Sequence, residues 1–216
     1  MRMRKKRHRD ERLERAGERW VKQPEELRGR WREVFENDNP IHIEIGSGKG
    51  QFISQMARLN PEINFIAVDV IPDVILMGLE LTKDGDYPNL RFIIADAARL
   101  EEYFAPEEVE RIYLNFSDPW KKKKQAKRRL THVNFLNIYN KVLKKGGYIW
   151  FKTDNRALFE FSLNSFCENG FKLSNISLDL HNSGFSGNVM TEYEQKFSQQ
   201  GMPIYRLEAT YRGYKY

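Results

Sequence analysis

The sequence predicts an α/β fold: one mostly parallel sheet of seven strands, with helices on both faces and an antiparallel C-terminal strand. The first observation is a pattern. From about residue 41 onward, short apolar runs alternate with amphipathic stretches, as in successive strand–helix–strand units. The second observation is length. With 216 residues, 40% of them apolar, the chain suffices for one such domain and is too short for two ordinary enzyme domains.

The apolar runs predict the individual strands. In chain order they cover 41–46, 64–70, 90–96, 111–117, 146–153, 171–180 and 203–214. Helices are predicted at 51–59, at 72–82, just before 104, at 132–143, from 155 onward and within 191–197. The last strand alternates apolar and polar residues, which favours an antiparallel strand with one face toward solvent. The loop 181–189 is rich in Gly, Asn and Ser and is predicted to be mobile.

Residues 1–20 are predicted to form a basic, mobile N-terminal arm, and residues 21–216 a single domain. Residues 1–9 contain six Lys and Arg and no acid. Only scattered apolar residues follow up to residue 40, which favours one or two short helices lying on the domain.

Positive charge is concentrated in two places. Residues 121–129 contain seven Lys and Arg, so these and the six of residues 1–9 leave the rest at −7 out of a net charge of +6. Such a distribution is typical of a surface that binds a polyanion, although a solvated tail or a localisation signal has the same composition.

No run approaches the roughly 18 apolar residues of a membrane span, and no apolar signal-peptide segment follows the basic N-terminus. We expect a cytoplasmic protein without a membrane partner. Cys167, the only cysteine, excludes an internal disulfide and is predicted to be buried.

A glycine-rich turn follows the first predicted strand. Ligands of an open parallel sheet bind at the carboxyl ends of its strands, and Gly46 and Gly48 let the backbone turn sharply and approach a ligand there. A Walker A loop requires Ser or Thr where Gly50 stands, and a dinucleotide fingerprint requires glycine where Gln51 stands. The loop therefore argues against a nucleoside triphosphatase and fits a dinucleotide site only imperfectly.

Acids mark the ends of the first three strands. Asp69 is placed to accept hydrogen bonds from a ribose diol, which fits NAD and S-adenosylmethionine alike. Glu44 distinguishes the two, because a carboxylate before the loop would repel a pyrophosphate and suit a cationic ligand. Asp96 can accept a hydrogen bond from an adenine amino group, or it can cap the next helix.

The fourth strand ends in NFSDPW (115–120), directly before the lysine run. A carboxylate at Asp118 and a stackable ring at Trp120, beside a positive patch, form a composition that binds nucleic acid bases and backbone together. Trp120 could instead be a core aromatic, and Asp118 part of a turn before proline. Asp154 ends the fifth strand at the same edge, where it could also cap the following helix.

The chain resembles the bacterial tRNA (guanine-N7-)-methyltransferases from about residue 24 to its end. The matching segments are EIGSGKG (44–50), Asp69, Asp96, NFSDPWKKKKQAKRR (115–129), FKTDN (151–155) and TEYEQKF (191–197). The first is widespread among methyltransferases, whereas the SDPW-lysine segment, Asp154 and TEYE are much more specific to this family. The resemblance implies a Rossmann-like class I methyltransferase fold with S-adenosylmethionine as methyl donor. It also implies transfer to N7 of a guanine in tRNA, at guanosine 46 of the variable loop.

The resemblance further implies roles for individual residues. Asp118 would be catalytic, and the cofactor pocket would be lined by Glu44, Gly46, Gly48, Asp69, Asp96 and Asp118. Substrate contacts are implied for Lys122, Asp154, Thr191, Glu192, Tyr193 and Glu194, and RNA binding for Lys124, Gln125, Ala126, Lys127, Arg128 and Arg129. Family members often carry Glu at position 69, so the geometry of the shorter Asp69 stays open. No metal is expected, because the histidines are scattered and none has ligand spacing.

Guanine N7 carries a neutral lone pair, so orientation rather than a strong base is the catalytic need. Asp118 and Asp154 can accept from the guanine N1–H and N2–H, and Trp120 is a candidate stacking surface. A methyltransferase for an exocyclic amine is the main alternative, although its motif has a second proline where Trp120 stands. An RNA-binding protein that lost catalysis is another. We expect tRNA as partner, no DNA, and either a monomer or a homodimer.

Overall fold

The structure is a computed structural model and describes residues 6–211. Within this range its strands are β1 (Trp20–Val21), β2 (Ile41–Ile45), β3 (Asn64–Asp69), β4 (Leu90–Ile94), β5 (Val109–Asn115), β6 (Leu143–Thr153), β7 (Phe171–Ser177) and β8 (Tyr205–Tyr211). Its α-helices are α1 (Arg9–Glu14), α2 (Trp31–Phe35), α3 (Gln51–Leu59), α4 (Pro72–Leu81), α5 (Leu100–Tyr103), α6 (Val133–Val142), α7 (Arg156–Glu168) and α8 (Glu192–Ser198). Short 3₁₀ helices lie at Gly17–Arg19, Pro24–Leu27, Ala97–Arg99 and Lys123–Arg128.

All described strands belong to one sheet, in the order β1-β4-β3-β2-β5-β6-β8-β7. The strands from β1 to β6 pair in parallel, and β8 is antiparallel to both β6 and β7. The predicted mostly parallel sheet with an antiparallel C-terminal strand is therefore confirmed. The seven predicted strands are present, and β1 is an additional one. A strand of two residues is too short to show any periodicity, which is why β1 could not be predicted.

The strand order reverses at β2. The chain places β3 and β4 on one side of β2, and β5 and β6 on the other. In open α/β sheets the crevice outside the carboxyl ends of the two strands at such a reversal is the usual ligand site. The topology therefore predicts a ligand site outside the carboxyl ends of β2 and β5.

Side chains that alternate along the strands divide the core into two clusters, one on each face of the sheet. Ile43 and Ile66 belong to the cluster that packs against α5, α6 and α7. Phe65 and Ala67, on the opposite face, belong to the cluster that packs against α3 and α4. Helices thus cover both faces, as predicted.

The N-terminal segment lies against the domain over its described part. Leu13 of α1 is buried in the cluster beside α4. Arg12 pairs with Glu80 of α4, and the Lys6 backbone N–H donates to Asp73 Oδ1 at 2.7 Å. Residues 6–20 of the predicted basic, mobile arm lie on the domain, where one apolar side chain and opposite charges contact α4. Residues 1–5 of that prediction lie outside the described range.

The Cys167 thiol is exposed, so the prediction of a buried cysteine is wrong. Its neighbour Phe166 takes the buried position on α7, and because successive helix residues point about 100° apart, Cys167 faces solvent.

Between residues 6 and 211, no helix has the length and apolar character needed to cross a membrane.

Candidate active site

The carboxyl ends of the parallel strands surround two adjoining cavities of about 350 and 270 Å³. Gly46, Asn115 and Phe116 line both cavities and therefore form the wall between them. The larger cavity extends over the ends of β3 and β4, and the smaller one lies between the glycine-rich turn and the segment before α8. The sheet thus brings together residues that are far apart in the sequence.

The glycine-rich turn closes over the end of β2. Gly46 and Gly48 have φ angles of 73° and 56°, in the left-handed region, and a Cβ on either would meet open space. Glycine is required here by the backbone conformation. The Gly48 N–H donates to Asp69 Oδ2 at 3.3 Å, so Asp69 also holds the turn in place.

Three of the predicted acids line the larger cavity. Asp69, Asp96 and Asp118 all contribute to its wall, together with the apolar side chains of Ile71 and Phe135. Burial raises the pKa of Asp69 above its ordinary value. Asp96 Oδ1 accepts from Ala98 N–H at 2.9 Å as a helix cap, and the residue also lines the cavity, so its contact with an adenine stays a prediction.

Glu44 lies in the smaller cavity and is buried. The Asn115 side chain donates to Glu44 Oε1 at 2.8 Å, whereas Glu44 Oε2 has no hydrogen-bond partner. Burial raises the pKa of Glu44 to about 8, although the nearby Lys152 charge opposes the shift. A buried carboxylate with one open oxygen is suited to a cationic partner.

Among the described residues, four buried polar atoms without a partner lie at the junction of the cavities. Besides Glu44 Oε2, they include Ser47 Oγ, Asn115 Oδ1 and Ser117 Oγ, each on a residue that lines one or both cavities. Buried polar groups are normally hydrogen-bonded, so this set indicates a polar ligand that supplies both donors and acceptors. Sequence reasoning missed Ser47, Asn115 and Ser117 as site residues. Their signal was their place within the quoted segments 44–50 and 115–129.

The loop after β5 is held in an unusual conformation. Phe116 and Trp120 have φ angles of 52° and 41°, which is costly for residues with a side chain. The Arg129 guanidinium supports the loop by donating to Pro119 O at 3.0 Å and to Trp120 O at 3.2 Å. Non-glycine residues in such conformations concentrate at functional sites, and this loop carries Asp118 on an exposed turn.

The lysine run forms the 3₁₀ helix Lys123–Arg128 beside the larger cavity. Of the seven residues predicted to contact RNA or substrate here, four are exposed and three are half-buried: Lys122, Lys124, Lys127 and Arg128, then Gln125, Ala126 and Arg129. Arg128 also lies over the Trp120 ring, with 4.9 Å between guanidinium carbon and ring centroid. The half-buried Arg129 guanidinium stabilises the loop after β5 through its bonds to Pro119 O and Trp120 O, and its predicted contact with RNA stays a prediction.

The segment predicted to contact substrate closes the smaller cavity. The Thr191 side chain caps α8 by accepting from Glu194 N–H at 2.9 Å, and both Thr191 and Tyr193 line the cavity. The exposed Tyr193 ring packs on Phe116 at 5.1 Å, and its hydroxyl donates to Asp154 Oδ2 at 3.5 Å. Tyr193 is thus a second candidate stacking surface besides Trp120. The Glu192 side chain is outside what the structure describes.

Glu194 is buried, whereas Asp154 is half-buried. The Glu194 carboxylate is fully buried against Lys152 at 2.7 Å, and its predicted contact with the substrate stays a prediction. Asp154 does not cap α7, because Asn155 accepts from Leu158 N–H in that role. Asp154 therefore stays available on the active side.

Comparison with solved structures defines the class of protein. The chain is similar to the 16S rRNA methyltransferase KamB, with a TM-score of 0.64, 15% identity, and coverage of 85% of this chain and 93% of that one. An antibiotic-related methyltransferase aligns with a TM-score of 0.61 and 19% identity over 84% of this chain and 92% of that one. The fold is that of the class I methyltransferases.

The sequence comparisons identify the family. Residues 38–207 match the family model described as "Putative methyltransferase". The tRNA (guanine-N(7)-)-methyltransferase of Listeria welshimeri is 56% identical over 98% of this chain and 99% of its own length. That of Bacillus subtilis is 52% identical over 98% of this chain and 100% of its own length. The chain belongs to the tRNA (guanine-N7-)-methyltransferase family.

Proposed function

We propose that this protein transfers a methyl group from S-adenosylmethionine to N7 of a guanine in tRNA, at guanosine 46 of the variable loop. The proposal rests on the position of the two cavities next to the basic surface helix. Cavities lined by Glu44, Asp69, Asp96 and Asp118, with unpaired buried polar atoms at their junction, open directly beside an exposed lysine helix. Membership of the family supports the same reaction and substrate.

The residues present fit S-adenosylmethionine. Its ammonium and sulfonium are positively charged and suit the acceptors Glu44 Oε2 and Asn115 Oδ1, and its carboxylate suits the hydroxyl donors of Ser47 and Ser117. Asp69 and Asp96 line the larger cavity, and this supports the proposal because their carboxylates can accept hydrogen bonds from a ribose diol and an adenine amino group. When bound, S-adenosylmethionine supplies an electrophilic methyl group on a sulfonium.

On the substrate side, the protein's own task is to hold and orient a guanine. Asp118 and Asp154 offer carboxylates to the N1–H and N2–H donors, which adenine presents differently. Tyr193 and Trp120 offer rings on which the base can stack. Because N7 needs no deprotonation, alignment supplies much of the rate enhancement. A carboxylate near the base also stabilises the positive charge that develops as the methyl group is transferred.

The test uses an unmodified tRNA transcript. Incubation with the protein and S-adenosylmethionine should yield 7-methylguanosine by nucleoside mass spectrometry, and a transcript with adenosine at position 46 should yield none. Appearance of an N2- or N6-methylated nucleoside instead would support the exocyclic-amine alternative. A cytoplasmic location stays a prediction.

A further inference from the structure

Lys152 lies near the end of β6. It is not among the predicted site residues and has no part in the proposed reaction. Its side chain is only 6% exposed. All three ammonium donors have acceptors: Glu194 Oε2 at 2.7 Å, Asn188 Oδ1 at 2.9 Å and Val189 O at 3.0 Å. The three acceptors lie 36 to 42 residues further along the chain.

The partners of Lys152 are connected among themselves. Glu194 Oε1 accepts from Asn188 Nδ2 at 2.6 Å and lies 3.3 Å from His181 Nε2. Glu194 is fully buried, so every contact of its carboxylate is made with the protein. Lys152 is therefore the centre of a buried polar cluster that ties residues 181–194 to the sheet.

The same cluster sets the position of the cavity wall. Glu194 lies in the first turn of α8, whose cap is Thr191, and Thr191 and Tyr193 line the cavity opposite Glu44. On the other side, Lys152 is in register with Asn115 on β5, and its carbonyl accepts from Phe116 N–H at 2.9 Å. Lys152 thus contacts both walls of the smaller cavity. Its side chain binds the segment that carries Thr191 and Tyr193, and its backbone carbonyl binds the loop after β5.

We infer that Lys152 is a positioning residue that anchors the segment from Asn188 to Glu194 and so sets where Thr191 and Tyr193 meet the substrate guanosine. This inference rests on the proposed function. Removing the ammonium leaves a buried carboxylate without its counter-charge and two oxygens without a donor. The segment would be released toward water, while the part of the site formed by β2, β3 and β4 would keep its structure.

The test compares Lys152→Met with Glu194→Gln and, as matched control, with Lys172→Met on the exposed side of β7. Hydrogen exchange measured by mass spectrometry reports on the anchor without any tRNA. Residues 188–198 should exchange faster in Lys152→Met, with strands β2 to β5 unchanged. Unaltered exchange in 188–198 would overturn the inference, whether or not the protein methylates tRNA.

Steady-state kinetics then separates positioning from general damage. We expect Lys152→Met and Glu194→Gln to raise KM for tRNA about tenfold or more. Kd for S-adenosylhomocysteine should rise clearly less, and only in Lys152→Met, because loss of the Lys152 charge also raises the pKa of Glu44. Lys172→Met should match the wild type in both. Equal losses of tRNA and cofactor affinity would contradict a positioning role.

The double variant Lys152→Met with Glu194→Leu removes both buried charges. It should regain thermal stability relative to Lys152→Met, yet keep the raised KM, because α8 is still unanchored. Return of KM to the wild-type value would show that only the unpaired charge mattered and would overturn the inference. Wild-type protein that forms no 7-methylguanosine would instead refute the proposed function, and the exchange result would still decide the anchor.

Discussion

Asn115 donates a hydrogen bond to Glu44 across the point where the strand order reverses, with 2.8 Å between Asn115 Nδ2 and Glu44 Oε1. The contact joins the ends of β5 and β2, which are neighbours in the sheet although 71 residues separate the two side chains. It fixes one carboxylate oxygen and leaves Glu44 Oε2 and Asn115 Oδ1 without protein partners. The site is thus preorganised for a polar ligand with a positive charge.

Glu44→Gln should weaken S-adenosylmethionine more than S-adenosylhomocysteine. Only the former carries a sulfonium charge, and the substitution removes the opposing carboxylate while keeping its shape and its hydrogen bond from Asn115. We expect a difference between the two ligands of about tenfold in Kd by calorimetry. Glu62→Gln, on an exposed residue, is the matched control. Equal losses for both ligands would place Glu44 at the shared amino or ribose groups.

Affinity for S-adenosylmethionine should rise with pH. Burial holds the pKa of Glu44 at about 8 in the free protein, and a cationic ligand favours the carboxylate, so binding below that pH releases a proton. Affinity should increase up to about pH 8 and level off above it. Calorimetry in buffers of different ionisation enthalpy measures the number of protons released on binding. Comparing the pH dependence of affinity in wild type and Glu44→Gln removes the contribution from titration of the ligand itself. A flat difference between pH 6.5 and 8.5 would show that Glu44 is already ionised.

The same group gives the stability of the free protein a defined pH dependence. The pKa of Glu44 is raised from 4.5 in the unfolded chain to about 8 in the folded one. Its contribution is therefore fully present below the unfolded value and is lost as pH rises through about 8. Thermal unfolding of wild type and Glu44→Gln across this range reports the loss.

Asp118→Ala should abolish methyl transfer and leave the fold intact. The side chain is exposed on the loop after β5 and lines the larger cavity, so it supports chemistry more than packing. We expect a loss of at least about a hundredfold in kcat, typical for removal of a group that stabilises developing charge. A tritiated-methyl assay and circular dichroism measure the two effects, with Asp84→Ala on an exposed turn as control. Retention of most activity in a folded variant would remove Asp118 from the catalytic role.

The exposed lysines should control RNA affinity. Replacing Lys123, Lys124 and Lys127 with Gln should weaken tRNA binding and reduce the log–log salt slope by up to about three units, since each phosphate contact contributes roughly 0.7 to 0.9. Cofactor affinity should stay unchanged. Lys122 is left out because the family resemblance places it at the base. Titration of tRNA at several salt concentrations decides the matter, and an unaltered slope would indicate a merely solvated helix.

Arg129→Gln should act differently from the lysine variants. Its guanidinium holds the backbone oxygens of Pro119 and Trp120, so its loss should displace the turn that carries Asp118. We expect kcat to fall about ten- to a hundredfold, because misplacement of catalytic groups is costly. The salt slope should change little, and Arg15→Gln on the exposed N-terminal segment should match the wild type. A reduced slope with normal kcat would return Arg129 to the RNA-binding surface.

Much of the fold and part of the site could be predicted because the signals are local. Helix α3 lies at the predicted residues, and each predicted strand exists, since periodicity and turn residues are read within a short window. The acids Glu44, Asp69, Asp96 and Asp118 meet at one edge because parallel strands end at the same edge. The exposed Cys167 was predicted wrongly, because a shift of one residue on a helix decides between burial and exposure.

The sequence by itself determined the alternation of strands and helices, the acids at the strand ends and the concentration of positive charge in residues 121–129. These features depend only on residue type and on spacing along the chain. Only the tertiary structure decided that α1 docks on α4, that Arg129 supports a loop and that Glu194 lies buried on Lys152. Each of these depends on which distant side chain occupies the neighbouring space. A charged residue looks the same in the sequence whether its partner is a phosphate, water or a buried counter-ion, and burial decides among them.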